Sequence, residues 1–110
     1  MQVHSYFGAG FPEIVYKRAL LMELRNSGLE CKEEFEKDIV YKGKVISRRR
    51  LDILVEGLIL LECKAQKELD NGDMVQTLNY LRVFELEVGL LLNFGAPSLF
   101  FKRYVNTIRV

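Results

Sequence analysis

The residues with the most chemical potential sit where an apolar run ends. Leu58-Ile59-Leu60-Leu61 leads straight into Glu62-Cys63-Lys64-Ala65. Alternate side chains of a strand share a face, so Glu62 and Lys64 point the same way. A charge at the end of a central strand is costly unless it is paired or bound to a metal. Asp52 stands earlier in the chain, between Leu51 and Ile53-Leu54-Val55. Glu56-Gly57-Leu58 offers a tight hairpin between the two segments. Counting outward from it sets Asp52 opposite Glu62, to within about two residues of register. Two carboxylates and an ammonium then converge on one face of a sheet.

Such a cluster suits a particular chemistry. Mg²⁺ and Mn²⁺ take hard oxygen ligands: one or two carboxylates, a backbone carbonyl, water and substrate phosphate. Asp52, Glu62 and the backbone carbonyl of Cys63 could supply the protein's share. Lys64 would then lie beside a phosphate under attack, where it offsets developing negative charge. The plain alternative is an Asp/Glu–Lys ion pair at a sheet rim, worth about 0–1 kcal/mol if exposed. The short pattern alone leaves both readings open.

The elements that must position these groups follow from pattern and punctuation. Residues 11–27 read as a helix, with Pro12 in its first turn, Ile14, Val15, Ala19, Leu21, Met22 and Leu24 at helical spacing, and Gly28 as the stop. A charged stretch from residue 30 runs into Ile39-Val40-Tyr41. Lys42-Gly43-Lys44 turns the chain into a strand over 45–56, and 58–65 forms a third, mostly apolar strand suited to a central place. A polar loop over 67–73 ends at Asp73, a candidate cap for a helix over 74–86 with Val75, Leu78 and Leu81 facing inward. Strands over 88–93 and 99–105 follow, the last at an edge. The expected fold is α/β: a mixed central β-sheet with an α-β-β-β-α-β core plus an edge strand, flanked by helices.

Composition bounds the rest. A chain of 110 residues has room for one core, so a single domain over 1–110 is expected. Sixteen Lys and Arg against fifteen Asp and Glu give a formal charge of +1, which excludes a polycation that grips nucleic acid or membrane by bulk charge. The 49% apolar share argues against disorder. No apolar run approaches the ~20 residues of a bilayer span, and the first ten residues lack the pattern of a secretory signal. Cys31 and Cys63 form neither a disulfide framework nor a metal pattern. These features lead to the expectation of a cytoplasmic protein. At this size little surface remains for holding a duplex, so a homodimer or a partner protein is expected to help.

Asp52 followed across a hairpin by Glu62-Cys63-Lys64 resembles the D…(D/E)-x-K core of the PD-(D/E)XK nuclease superfamily. Gly10-Phe11-Pro12-Glu13-Ile14-Val15-Tyr16 is similar to the G-x-x-E-x-x-Y motif of its GxxExxY family. Gln76-Thr77-Leu78-Asn79-Tyr80 is similar to the Q-x-x-x-Y motif of its RecB-like branch. Tyr41-Lys42-Gly43 and the stretch from Gly89 to Gly95 also resemble GxxExxY members. Leu51 stands where many members carry Pro, and the lead-in is short, with Val3-His4 resembling the end of a preceding helix.

The resemblance implies a restriction-endonuclease-like domain with Mg²⁺ or Mn²⁺ as cofactor. It implies Asp52 and Glu62 as metal ligands and Lys64 as the catalytic lysine. Glu13 becomes a helix-borne acid near the metal, Gln76 and Tyr80 position the lysine or the substrate, and His4 is a candidate additional ligand. The implied reaction is phosphodiester hydrolysis in DNA, or less readily RNA, with little sequence specificity. The rival is a nucleic-acid-binding or accessory module that keeps the fold and does not cut. Phosphate contacts are expected from Arg48, Arg50, Lys17 and Lys44. By period two, Arg50 shares the face of Asp52.

Overall fold

The computed structural model describes residues 2–106. Helix α1 (Gln2–Phe7) is too short for periodicity to reveal, and it occupies the place of the lead-in helix that Val3-His4 resembles. Helix α2 (Glu13–Asn26) follows after a tight turn in which Gly10 has φ +108, a value side chains resist. Tyr16 fixes that turn. It is fully buried, its hydroxyl donates to the Gly8 carbonyl and accepts from the Phe11 N–H, and its ring stacks on Phe94 at 4.8 Å. Pro12 lies just outside the helix, at its N-cap, rather than in the first turn. The buried stripe is Tyr16, Lys17, Leu20 and Leu21, whereas Ile14 and Met22 are exposed. Apolar residues almost encircle α2, so periodicity could not select the docking face; the stacked Tyr16 does.

Five strands follow: β1 (Cys31–Tyr41), β2 (Lys44–Val55), β3 (Ile59–Lys64), β4 (Val88–Asn93) and β5 (Phe100–Val105). Helix α3 (Asn71–Val83) crosses over between β3 and β4, which run parallel; the other neighbours are antiparallel. The spatial order is β1-β2-β3-β4-β5, the expected α/β architecture with β5 on an edge. Helices α1 and α2 cover one face, where Val3, Tyr16, Leu20 and Leu21 meet Ile53, Leu61, Cys63 and Phe94. Helix α3 covers the other, where Leu81 and Phe84 meet Leu51, Leu54, Leu60 and Leu91. Burial on both faces explains the unbroken apolar run of β3. No helix among the described residues is long and apolar enough to cross a membrane.

Helix α3 starts earlier than expected. Asp70 is its cap, accepting from the Asp73 N–H at 2.9 Å while Asp73 accepts from the Asp70 N–H at 3.0 Å. This reciprocal pair draws Asn71-Gly72 into the first turn instead of leaving them in the loop. The inward stripe then passes through Thr77 and Leu81, and Val75 is exposed.

One irregularity shapes everything near the site. Ile53 and Val55 belong to the α2 side, yet Leu51, two residues before Ile53, belongs to the α3 side. The partner strand inverts at the same level: Cys31 faces α2 and Phe35 faces α3. Strict alternation therefore breaks between the pairs Glu33↔Ile53 and Phe35↔Leu51. The residues in between are Asp52 and Glu34, and Glu34 has φ +53.

The segment after β3 is clamped by the end of β4. Buried Asn93 donates its amide to the Gln66 carbonyl at 2.9 Å, and its oxygen accepts from the Gln66 and Gly95 N–H groups. A Cβ at Gly95 would overlap the backbone of Gln66 and Ala65. Gly95→Ala is therefore expected to cost about 1–3 kcal/mol through overpacking against backbone that cannot retreat. Urea denaturation of the two proteins measures it.

Candidate active site

Strands β2 and β3 pair only as far as Ile53↔Leu61, and beyond that point β2 veers away. The backbone of β3 would be left unsatisfied there, and two side chains take over. Asp52 Oδ2 accepts from the Cys63 N–H at 2.8 Å, and Glu62 Oε1 accepts from the Asp52 N–H at 3.2 Å. A residue's N–H and C=O leave a strand toward the same neighbour. The Cys63 carbonyl therefore opens on this same gap. The Lys64 carbonyl turns the other way and accepts from the Phe94 N–H at 2.8 Å.

The electrostatics of the gap are unfavourable to charge. Glu62 is 5% exposed, and burial, followed by the Asp52 charge, pushes its carboxyl up to about 8. Burial and the Asp52 charge also raise Glu13, at the start of α2, while Lys64 and Lys17 pull it back. Burial pushes the Cys63 thiol well up, so Cys63 is a protonated core residue whose contribution is its backbone.

Lys64 is steered from α3. Its Nζ donates to Gln76 Oε1 at 3.4 Å and lies 3.9 Å from Asp73 Oδ1. Gln76 in turn donates to the Tyr80 hydroxyl at 3.2 Å. The one-turn spacing of Gln76 and Tyr80 thus makes a relay that aims the lysine. His4 is buried, stacks near Phe94 and donates Nε2–H to the Ala96 carbonyl at 3.0 Å. A carbonyl can only accept, so that bond fixes the tautomer and removes Nε2 as a ligand.

The donor set fits a hard divalent cation. Two carboxylates and a backbone carbonyl border one gap, and Mg²⁺ or Mn²⁺ is commonly held by so few protein oxygens. Among the described residues, no three His, Cys, Asp or Glu side chains converge closely enough to hold an ion by themselves. The Cys63 carbonyl is the further protein oxygen that the gap offers beside the two carboxylates.

A model of the PD-(D/E)XK nuclease superfamily matches residues 1–105. The chain belongs to that superfamily. The crystal structure of SSO0001 superposes with a TM-score of 0.64 at 19% identity, over 86% of this chain. This chain spans 50% of that one. No curated protein matches. The superfamily consists largely of nucleases, and the architecture agrees with the restriction-endonuclease-like fold.

For this PD-(D/E)XK domain, several cations expected to meet phosphate are already engaged. Lys17 is 5% exposed, with Nζ 3.0 Å from Glu34 and 3.7 Å from Glu33. Burial works against its charge, but the Glu34 hydrogen bond and the charges of Asp52 and Glu34 more than restore it. Its ammonium is tied to Glu34 and Glu33, and so holds the inverted backbone at Glu34, opposite Asp52. Arg48 pairs with Asp38 and Glu36, and Arg50 with Glu34 and Glu36, on the α2 side of β1–β2. Because alternation inverts at Asp52, Arg50 does not reach the carboxylates as period two implied. Lys44 is exposed at the hairpin turn, remote from the gap. Sequence reasoning gave Asn93 and Gly95 no role, although both lie in a stretch noted for its family likeness. The signal for Asn93 was the one that singled out Glu62, a polar residue closing an apolar strand.

The raised carboxyl of Glu62 links stability to pH. Its folded value lies above the ordinary 4.5, so this group's contribution to the stability of the metal-free fold is fully present below about 4.5 and is lost as pH rises through about 8. Melting temperature without divalent cation is expected to fall across that window. Glu62→Gln, which keeps the acceptor for the Asp52 N–H, should flatten the profile in a thermal-shift pH series.

Proposed function

We propose that this domain is a Mg²⁺- or Mn²⁺-dependent nuclease that hydrolyses DNA phosphodiesters with little sequence specificity. The observation that carries the reading is the gap where β2 leaves β3. Asp52, Glu62 and the Cys63 carbonyl border it, and Lys64 stands at its rim under the control of Gln76. The Gly10, Glu13 and Tyr16 set and the Gln76–Tyr80 pair favour a place in the GxxExxY family and the RecB-like branch.

In this reading Asp52, Glu62 and the Cys63 carbonyl would hold the cation, and Glu13, near enough to feel the Asp52 charge, would act through water. When bound, the cation supplies Lewis-acid stabilisation of the charge that builds on the phosphoryl oxygens. Lys64 adds a fixed positive charge beside the scissile phosphate and helps align the attacking water. Gln76 and Tyr80 hold the ammonium in place, and so act as positioning residues. Glu62 would have to be ionised to serve as a ligand, so its raised carboxyl makes that role depend on pH.

A second reading has its own support. Each carboxylate already satisfies a backbone N–H across the gap, an arrangement stable with both groups in structural roles. A module that binds nucleic acid without cutting would keep that arrangement.

The deciding experiment is a cleavage panel of linear, circular, single- and double-stranded DNA, with RNA alongside, in Mg²⁺ and in Mn²⁺. Cleavage is expected with either metal and none in EDTA. Lys64→Ala is expected to lower the rate by about 10²–10³, and Asp52→Ala to abolish both metal-dependent cleavage and calorimetric metal binding. Binding by the wild type with no cutting of any substrate would select the accessory module.

A further inference from the structure

Strands β1 and β2 run far past β3. Only Ile53–Val55 of β2 pair with β3, yet the β1–β2 ladder continues to Tyr41↔Lys44, so the outer part of the hairpin is a two-stranded arm. Two-stranded arms are marginal in water and depend on cross-strand pairs. On the α2 side the arm has them: Glu36 and Asp38 alternate with Arg48 and Arg50 in an ion-pair ladder.

The other side is different. After the inversion at Asp52, the odd-numbered residues face the α3 side, as Phe35 and Leu51 do. The next pair outward is Lys37↔Arg49. Two cations sit directly opposite each other, a placement that destabilises a sheet. Among the described residues no carboxylate lies within ion-pair distance of either. Arg49 donates only to Ser47 Oγ at 2.8 Å and to the Arg48 carbonyl at 3.1 Å. The arm thus pairs opposite charges on one face and leaves two neighbouring cations on the other.

Position adds to charge. Arg49 lies three residues from Asp52, about 10 Å along the strand. Phosphates of one DNA strand advance about 3.4 Å each along the helix axis, so the pair stands roughly three phosphates away from the carboxylate gap. By alternation it lies on the side of the sheet to which Glu62 and Lys64 point.

We infer that Lys37 and Arg49 form a phosphate clamp, gripping the nucleic-acid backbone a few nucleotides from the site of cleavage. The inference rests on the nuclease reading for its substrate class, and it assigns the grip to this pair rather than to Arg48 and Arg50. The clamp reads charge and spacing, so it contributes affinity without sequence preference.

The test is fluorescence anisotropy of a fluorescein-labelled DNA duplex and of its single strand, in EDTA, across a salt series. Lys37→Gln and Arg49→Gln should each weaken binding several-fold for unrelated sequences. Each should also make the plot of log K against log salt shallower by about 1. Arg18→Gln, the same charge change on the α2 side, should do neither. Arg49→Glu should bind worst yet melt no lower than wild type, because an opposite charge then faces Lys37. An unchanged salt slope in Arg49→Gln, an equal loss in Arg18→Gln, or a lower melting temperature in Arg49→Glu would each overturn the clamp. Wild-type protein that neither binds nor cuts nucleic acid would overturn the nuclease reading and the clamp with it. Binding through the clamp without cleavage would leave the clamp standing and remove the catalysis.

Discussion

Asp52 and Glu62 answer each other across the place where two strands part. Each carboxylate replaces a backbone acceptor that the departing strand has withdrawn, so both stay fixed in a largely dry gap. Removing either would orphan a buried N–H, which costs more than the bond itself gains. The raised carboxyl of Glu62 records first the loss of water around it and then the nearby Asp52 charge. In the proposed nuclease reading, two acids this close beside the Cys63 carbonyl are the oxygens a small cation would take. The rest of the site is arranged around that constraint.

The supports come from separate elements. Tyr16 pins the glycine turn ahead of α2 and so fixes where Glu13 begins the helix. Gln76 and Tyr80 reach down from α3 to Lys64. Asn93 and Gly95, from the end of β4, grip the chain just after it. Lys17 holds Glu34, whose left-handed backbone accompanies the inversion that frees Asp52 from the alternation. These contacts lie far apart in sequence, so the geometry exists only once the sheet and both helical layers have assembled.

The inversion has a second effect. It exchanges the faces of the β1–β2 arm relative to the core of the sheet. Carboxylates and arginines of even number meet on the α2 side and cancel. Lys37 and Arg49 emerge on the α3 side, where among the described residues no carboxylate lies within ion-pair distance of either. One local irregularity therefore both shapes the acidic gap and separates neutral from cationic surface on the arm.

Much of the fold was legible from local pattern. Strand β3 announced itself by an apolar run ending in charge, the hairpin by Gly57, and α3 by its apolar spacing, and their order dictated a mixed sheet. The pairing of Asp52 with Glu62 followed from counting back through a short turn. Helix α1 escaped because six residues carry too little periodicity, and the start of α3 was misplaced because its cap is a reciprocal Asp70–Asp73 pair. The ion pairs that engage Lys17, Arg48 and Arg50 were not legible, since period-two reasoning assumes unbroken alternation. Residue types and short-range spacing specify which groups a strand or helix carries. Which of those groups meet, which are neutralised and which stay free depends on where a strand bends away from its neighbour, and packing across the whole sheet settles that.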